Sequence, residues 1–118
     1  MIDLKPFILQ ALKDVPAIAK TVYAREEVPL PVITVGDESY RVLSQADGLP
    51  YLEEYVAAVD IYGKTREETE ALLQKTEEAL AFLGFRRVYQ QDLYDEEACA
   101  FRKCLRYRGV LCGHTVYQ

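Results

Sequence analysis

Residues 51–111 carry the pattern that most constrains the fold, because they read as a long strand, a capped helix and two further long strands. Apolar and polar residues also alternate from Ala98 to Leu111, which is unusually long for a strand in so small a domain. With a helix and shorter strands before it, this block predicts an α+β fold: one mainly antiparallel sheet and two helices, in the order helix, strands, helix, strands. One face of the first long strand is read from four alternating residues: Tyr55, Ala57, Val59 and Ile61.

The first helix is predicted from about Asp3 to Val15, with Asp3 as N-cap and Pro16 as the stop. Apolar residues at helical spacing form its buried stripe: Leu4, Phe7, Ile8, Ala11, Leu12 and Val15.

The second helix is predicted from about Thr65 to Leu83. Thr65 followed by Glu68 has the spacing of a capping box, and Gly84 supplies the C-terminal stop. Its buried stripe is predicted to contain Leu72, Thr76, Ala79, Leu80 and Leu83.

The strands before and after this helix are predicted from shorter signals. Gly36-Asp37-Glu38 has the composition of a hairpin turn, and the run Gln45–Pro50 has that of a loop. The predicted strands are Thr21–Ala24, Val32–Val35, Ser39–Leu43, Tyr51–Tyr62, Val88–Leu93 and Cys99–Leu111.

Length and charge narrow the function classes. A chain of 118 residues is predicted to form one domain, 1–118, with a core that needs neither disulfide nor metal. The net charge of -5 argues against specific nucleic-acid binding, which needs a basic face. No apolar run approaches the roughly 20 residues of a membrane span, and no signal peptide is evident, so we expect a cytoplasmic start and no membrane partner.

The three cysteines are expected to be free and structural, in a reducing compartment. Cys99 and Cys104 have opposite parity on the last long strand, and Cys104 and Cys112 lie about 26 Å apart along it at roughly 3.3 Å per residue. Neither pair can form a disulfide while the strand is straight, because the first two side chains point to opposite faces and the second two are too far apart.

No catalytic, cofactor-binding or metal site is predicted, and we expect the chain not to be an enzyme. His114 is the single histidine, and a thiol–imidazole pair with Cys112 is the one enzymatic alternative. An exposed histidine near the terminus is the simpler interpretation. Adjacent glutamates along the chain do not face one another, so they predict solvated surfaces and not acid–base pairs.

Charged residues at even-numbered strand positions mark a candidate interface on the sheet. Glu54 and Asp60 share a face of one predicted strand, and Arg102, Arg106 and Arg108 share a face of another. If these strands are antiparallel neighbours, the acids pair with the arginines across an exposed face. Nine tyrosines, most on or beside predicted strands, also favour a domain that meets other protein surfaces.

The element order resembles small tail-terminator or tail-completion proteins, a class of minor tail protein of long-tailed phages and prophages. The resemblance is carried by Val59-Asp60-Ile61-Tyr62-Gly63 before the acidic helix and Arg106-Tyr107-Arg108-Gly109 near the end. The opening helix, the Val-Ile-Thr-Val strand of residues 32–35 and the Asp-Glu-Ser of residues 37–39 resemble the family too.

The resemblance implies a structural protein of the virion tail, assembled in the cytoplasm of the bacterial host. It implies a homo-oligomeric ring, commonly a hexamer, that caps the tail-tube protein, stops tube growth and meets the head-completion protein. No catalytic residue and no cofactor is implied.

Two alternatives to a terminator remain open at this point. The first is a neck or connector protein, which has similar size and composition. The second is a small-molecule-binding regulatory domain of ferredoxin-like topology, with a ligand held in a cleft or between subunits.

Overall fold

The computed structural model of the protein describes residues 3–21, 29–46, 49–112 and 115–117. Within these ranges two helices and six strands form an α+β fold in the predicted order. The elements are α1 (Lys5–Ala11), β1 (Ile18–Lys20), β2 (Val32–Ala46), β3 (Leu49–Gly63), α2 (Arg66–Phe82), β4 (Arg86–Asp95), β5 (Ala100–Cys112) and β6 (Thr115–Tyr117).

The strands form one sheet in the order β1-β2-β3-β5-β4, with β6 pairing to the end of β5. Every pairing is antiparallel except that of β1 with β2, which is parallel. A ferredoxin-like fold follows the order β-α-β-β-α-β, whereas this chain begins with a helix and runs through three strands before the second helix. The described elements therefore do not follow the ferredoxin-like topology of the alternative interpretation.

β3 and β5 form the centre of the sheet, with Leu52–Gly63 paired to residues 101–112 in unbroken register. Odd-numbered residues of both strands point toward the helices, and even-numbered residues point away, as the alternation predicted. β5 begins at Ala100 because Cys99, with φ 51, closes the turn from β4 in a left-handed conformation.

Both helices pack on the same face of the sheet and close one core. Two buried tyrosines of this core bind surface carboxylates: the hydroxyl of Tyr107 donates to Glu77 Oε1 at 2.8 Å, and that of Tyr55 donates to Asp37. The fully buried side chains include Ile8, Ile33, Val35, Tyr55, Val59, Ile61, Leu80 and Leu105.

The caps of α2 confirm the prediction from sequence. Thr65 accepts the N–H of Glu68 at 3.1 Å, while the Glu68 carboxylate accepts the N–H of Lys64 at 2.8 Å. At the other end Gly84 has φ 94, its N–H bonds to Ala81, and the next N–H, of Phe85, bonds to Leu80. This is a Schellman motif, closed by a buried phenylalanine.

The first helix is shorter than predicted, since α1 ends at Ala11 and the chain then turns through i→i−3 hydrogen bonds up to Val15. Because Pro16 disfavours the helical conformation before it, its effect reaches back through this turn. Leu4 occupies the N-cap position, and Asp3 lies one residue earlier, where it still accepts the N–H of Lys5.

Phe7 is also not part of the buried stripe, because its side chain is 59% exposed. The helix packs through one residue per turn, and Phe7 lies on the flank of that narrow stripe. Leu4, Ile8, Leu12 and Val15 are the buried members of the predicted set.

The predicted hairpin turn at Gly36-Asp37-Glu38 is wrong, because β2 continues through these residues. The pairing with β3 shifts between Asp37 and Ser39, so a β-bulge absorbs the extra residue. The Asp37 carboxylate accepts the Tyr55 hydroxyl and the Lys5 ammonium, the latter at 2.9 Å. These long-range bonds satisfy an acid that local composition would place in a turn.

Smaller differences concern the strand ends. Gln45 and Pro50 lie in β2 and β3, so the predicted loop is shorter, and residues 47–48 lie outside the described ranges. The strand predicted at Thr21–Ala24 is not found at Thr21, and residues 22–24 are not described. β1 and β6 carry too few residues to show a period in sequence.

We expect Gly84→Ala to lower the free energy of unfolding by about 1 kcal/mol, because alanine disfavours the left-handed conformation that ends α2. Gly36→Ala is the matched control, since no atom lies within 4 Å of the added methyl group. Urea unfolding of both variants measures the difference. Equal effects of the two substitutions would contradict this account of the cap.

Candidate interface on the helix-free face

The face of the sheet that neither helix covers, here named the helix-free face, carries two clusters of ion pairs. All five sequence-predicted interface residues lie on it. Together the clusters contain four arginines and four carboxylates, so the clusters are balanced in charge although the chain is acidic. The members are Glu38, Arg41, Glu54, Asp60, Asp95, Arg102, Arg106 and Arg108.

Asp60 is the centre of the first cluster. It lies opposite Cys104 in the sheet, so Arg102 and Arg106 are its two diagonal neighbours on β5. Arg102 donates to Asp60 Oδ2 at 2.6 Å and to Asp95 Oδ2 at 3.0 Å, while Arg106 lies 3.8 Å from Asp60 Oδ1. One carboxylate thus holds two guanidinium groups on the same strand.

Glu54 is the centre of the second cluster. Its carboxylate accepts Arg108 Nε from β5, and the Arg41 guanidinium of β2 lies 3.3 Å away. The hydrogen bond from Arg108, helped by Arg41, lowers the pKa of Glu54 below its usual value against the opposing effect of burial. Glu54 therefore joins three strands of the sheet.

Arg106 connects β5 to β2, because its Nε lies 3.2 Å from Glu38 Oε2. In the register Ala58 and Gly36 lie across from Arg106 on β3 and β2. Glu38 is the residue that the β-bulge adds, so the bulge also supplies an acid to the helix-free face.

The pairing predicted from parity is confirmed, since Glu54 and Asp60 each bind arginines of β5. The role of these residues in an interface stays a prediction. Sequence reasoning missed three further members: Glu38, Arg41 and Asp95.

One of these could have been found from a signal in the sequence. Asp47-Gly48 is typical of a two-residue hairpin turn. Counting outward from that pair places Arg41 opposite Glu54, which is the observed register. The place of Glu38 on this face depends on the β-bulge, and no local sequence signal predicts that bulge.

A groove of about 350 Å³ lies on the other side of the sheet, between α2 and the β4–β5 hairpin. At its base the Lys103 side chain is only 3% exposed, and its ammonium donates to Glu70 at 2.6 Å and Asp92 at 2.8 Å. Burial alone would lower the pKa of Lys103, but the bonds to Asp92 and Glu70 outweigh it and raise the pKa. The lysine is thus held as a cation, which makes it an anchor for α2.

The described residues offer little else for chemistry. All three cysteines are free, as predicted: Cys99 is exposed, and Cys104 and Cys112 are half-buried. His114 lies outside the described residues, so its pairing with Cys112 stays a prediction. No group of three or more metal-type ligands occurs within the described ranges. Neither described helix has the length and apolar composition needed to cross a bilayer.

Comparison with known proteins identifies the fold. The sequence matches no protein-family model and no curated protein at a significant level. Among solved structures, the gp17 protein of bacteriophage SPP1 is similar, with a TM-score of 0.56 and 16% sequence identity. The similarity covers 95% of this chain and 91% of that one. At this identity it shows that the two chains share a fold over almost their whole length.

We expect Lys103→Met to change the free energy of unfolding by no more than about 1 kcal/mol. Its partners Glu70 and Asp92 are 62% and 53% exposed, so water can solvate both carboxylates when the lysine is lost. The double variant Glu70→Ala/Asp92→Ala leaves a buried cation unpaired and should cost more, toward about 3 kcal/mol. Denaturant unfolding compares them, and a larger loss in Lys103→Met would contradict the argument.

We expect Glu54 to contribute stability above its usual pKa of 4.5 and to lose that contribution as the pH falls, because its pKa is lowered in the folded state. Glu54→Gln should therefore be less stable than the wild-type chain at about pH 6, and the difference should shrink below about pH 4. Thermal unfolding across this pH range measures it. Glu78→Gln, at an exposed position on α2, is the control for the loss of one carboxylate.

Proposed function

We propose that the chain is a structural assembly protein of a phage or prophage tail and acts as a tail terminator. In this role it caps the tail tube, stops its polymerisation and forms the surface that joins the tail to the head. The observation that carries the proposal is the fold shared over 95% of the chain with a bacteriophage protein. The family resemblance of the sequence, which rests on the element order and on the segments quoted for it, agrees with a phage protein.

The proposed partners are other copies of the chain in a ring, commonly of six, the tail-tube protein and the head-completion protein. The helix-free face supports a role in these contacts. Its ion pairs are balanced and partly shielded, with Glu54 and Asp60 side chains only 13% and 14% exposed. A partner that covers it has little unpaired charge to desolvate, and arginines are favoured at protein interfaces.

The proposal includes a non-enzymatic role in the virion, reached after assembly in the cytoplasm of the bacterial host. The ion pairing of the charged groups on the helix-free face supports this role. Each described carboxylate there is held by an arginine, and these acids connect strands across a sheet surface. This arrangement suits a rigid contact surface better than a reacting centre.

A neck or connector protein is the nearest alternative, because it would use the same kind of surface. A small-molecule regulatory domain has weaker support. Its expected topology is absent, and the Lys103 cation in the groove is already bound to two carboxylates.

The experiment that tests the proposal is tube assembly in vitro with the tail-tube protein of the same phage or prophage. The wild-type chain should bind tube ends and shorten the tubes, as seen by electron microscopy. A chain that neither binds tube ends nor limits tube length would overturn the terminator function. Binding to an isolated head-completion or neck protein without any effect on tubes would favour the connector alternative.

Arg106→Ala tests the helix-free face in the same assay. Arg106 has the longest ion pairs of its cluster, at 3.2 Å and 3.8 Å, so its loss should leave the fold intact. We expect roughly tenfold weaker assembly, as for removal of an arginine hot spot. Arg66→Ala, which removes an exposed arginine from the helical side, is the matched control. Equal activity of both variants would place the contact elsewhere.

A further inference from the structure

Exposed apolar side chains gather on the strands at the two ends of the sheet. Of the large apolar residues that are exposed within the described ranges, most lie on β1, β2 or β4, and none lies on the central strands β3 and β5. Isolated exposed apolar residues are ordinary, but on an outer strand they add apolar area to backbone groups that can pair with another strand. The residues are Ile18 on β1, Val42 and Leu43 on β2, and Val88, Tyr89 and Tyr94 on β4.

Both outer strands also have backbone that no other described strand pairs. β4 ends the strand order, and its outer side has no partner among the described strands. On the opposite edge β1 pairs with β2 only at Val32–Thr34, whereas β2 continues to Ala46. Ser39–Val42 keeps an unshifted register with β3 between two bulges. β2 therefore offers a regular segment that ends in exposed apolar residues.

The directions of the strands make these two edges complementary. All pairings along β2-β3-β5-β4 are antiparallel, so β2 and β4 run in opposite directions. A second copy placed beside the first in the same orientation therefore brings its β2 antiparallel to β4 of the first copy. The helices of both copies then lie on the same side of a continued sheet. Pairing of β4 with a second β4 would need a two-fold axis, which stops at two copies.

From these features we infer that neighbouring copies meet head to tail, with β4 of one copy added antiparallel to β2 of the next. The inference rests on the proposed ring of copies and names the surfaces that form its contacts. Each copy presents two unlike edges, and the same contact repeated around one axis closes a ring. Both faces of the sheet stay free, which leaves the helix-free face for the tail-tube or head-completion protein.

The exposed apolar residues select a register for this pairing. Residues that face each other on neighbouring strands lie on the same face of the sheet. Val42 lies on the helical side, and so do Gln90, Asp92 and Tyr94 of β4. Only Tyr94 of these three is apolar. Val42 and Tyr94, which are 39% and 52% exposed, therefore cover each other when they are opposite.

Two edge-blocking variants test the head-to-tail contact. Val42→Lys/Leu43→Lys places charge on the edge of β2, and Tyr89→Lys/Tyr94→Lys does so on β4; lysine on an outer strand opposes strand addition. Each variant replaces exposed side chains, so the fold should be retained. Because every contact needs both edges, each variant alone should associate at least about tenfold more weakly than the wild-type chain.

Mixing the two variants separates a head-to-tail contact from a two-fold one. At a concentration where neither variant associates alone, an equal mixture should form a heterodimer of twice the 13.5 kDa of one chain and nothing larger. Only one intact pair of edges exists in that mixture. Sedimentation measures the masses. If β4 met β4 instead, Val42→Lys/Leu43→Lys would associate like the wild-type chain, and the inference would be overturned.

Phe7→Lys/Phe82→Lys is the matched control, because it replaces two exposed aromatic residues on the helices. It should associate like the wild-type chain. Thermal unfolding first checks that every variant is folded. A wild-type chain with the mass of one copy at every concentration would overturn the inference, and so would edge variants that associate normally.

Crosslinking tests the register. With Cys99, Cys104 and Cys112 replaced by serine, Val42→Cys/Tyr94→Cys should form a ladder of disulfide-linked species under mild oxidation, since facing residues of antiparallel strands lie within disulfide range. Neither cysteine alone should give a covalent dimer, and an equal mixture of the two single variants should stop at a dimer. A covalent dimer of Tyr94→Cys alone would overturn the inference.

These measurements use the chain without tail-tube protein, so they separate the contact from the proposed function. Edge variants that associate normally, beside a wild-type chain that shortens tubes, would refute the contact and leave the terminator function standing. The expected heterodimer beside a wild-type chain without effect on tubes would refute the terminator function and leave the contact standing.

Discussion

The register between β3 and β5 is the constraint on which the rest of the structure depends. These strands pair without a shift from Leu52–Cys112 to Gly63–Phe101. A slip by one residue would turn every side chain to the opposite face, placing arginines in the core and leucines in water. The same register that closes the core under the helices therefore also brings Asp60 between two arginines on the other face.

The two faces of the sheet differ in which member of an ion pair is buried. On the helical side Lys103 is buried, and its carboxylate partners on α2 and β4 are exposed, so the pair attaches the helix to the sheet. On the helix-free face three of the four acids, Glu54, Asp60 and Asp95, are the shielded partners, and each connects two or three strands. Exposed pairs contribute little stability singly, but a connected set orders the surface that a partner would meet.

Several elements were predictable because their signals are local. α2 has a capping box, a buried stripe and a C-terminal glycine within its own sequence, and its ends were found within one residue. The central strands were predictable because their period of two extends over many residues. Parity alone then predicted the ion pairs of Glu54 and Asp60, since side-chain direction in a strand depends only on position.

Other predictions were wrong because contacts with residues far away in the sequence outweighed the local preference. Gly36-Asp37-Glu38 has the composition of a turn, but Tyr55 and Lys5, from β3 and α1, bind Asp37 and keep the segment in β2. Phe7 fitted the helical stripe, but how wide a stripe is buried depends on how α1 packs on the sheet.

By itself the sequence determined the fold class, the central strands, the second helix and the face on which each charge of β3 and β5 lies. These follow from periodicity and from capping chemistry, which act between residues close in the chain. Only the tertiary structure decided the continuous β2 with its bulge, the burial of Lys103 and the position of β4 at the end of the strand order. Each of these depends on which strands become neighbours, and that choice is made by contacts between residues far apart in sequence.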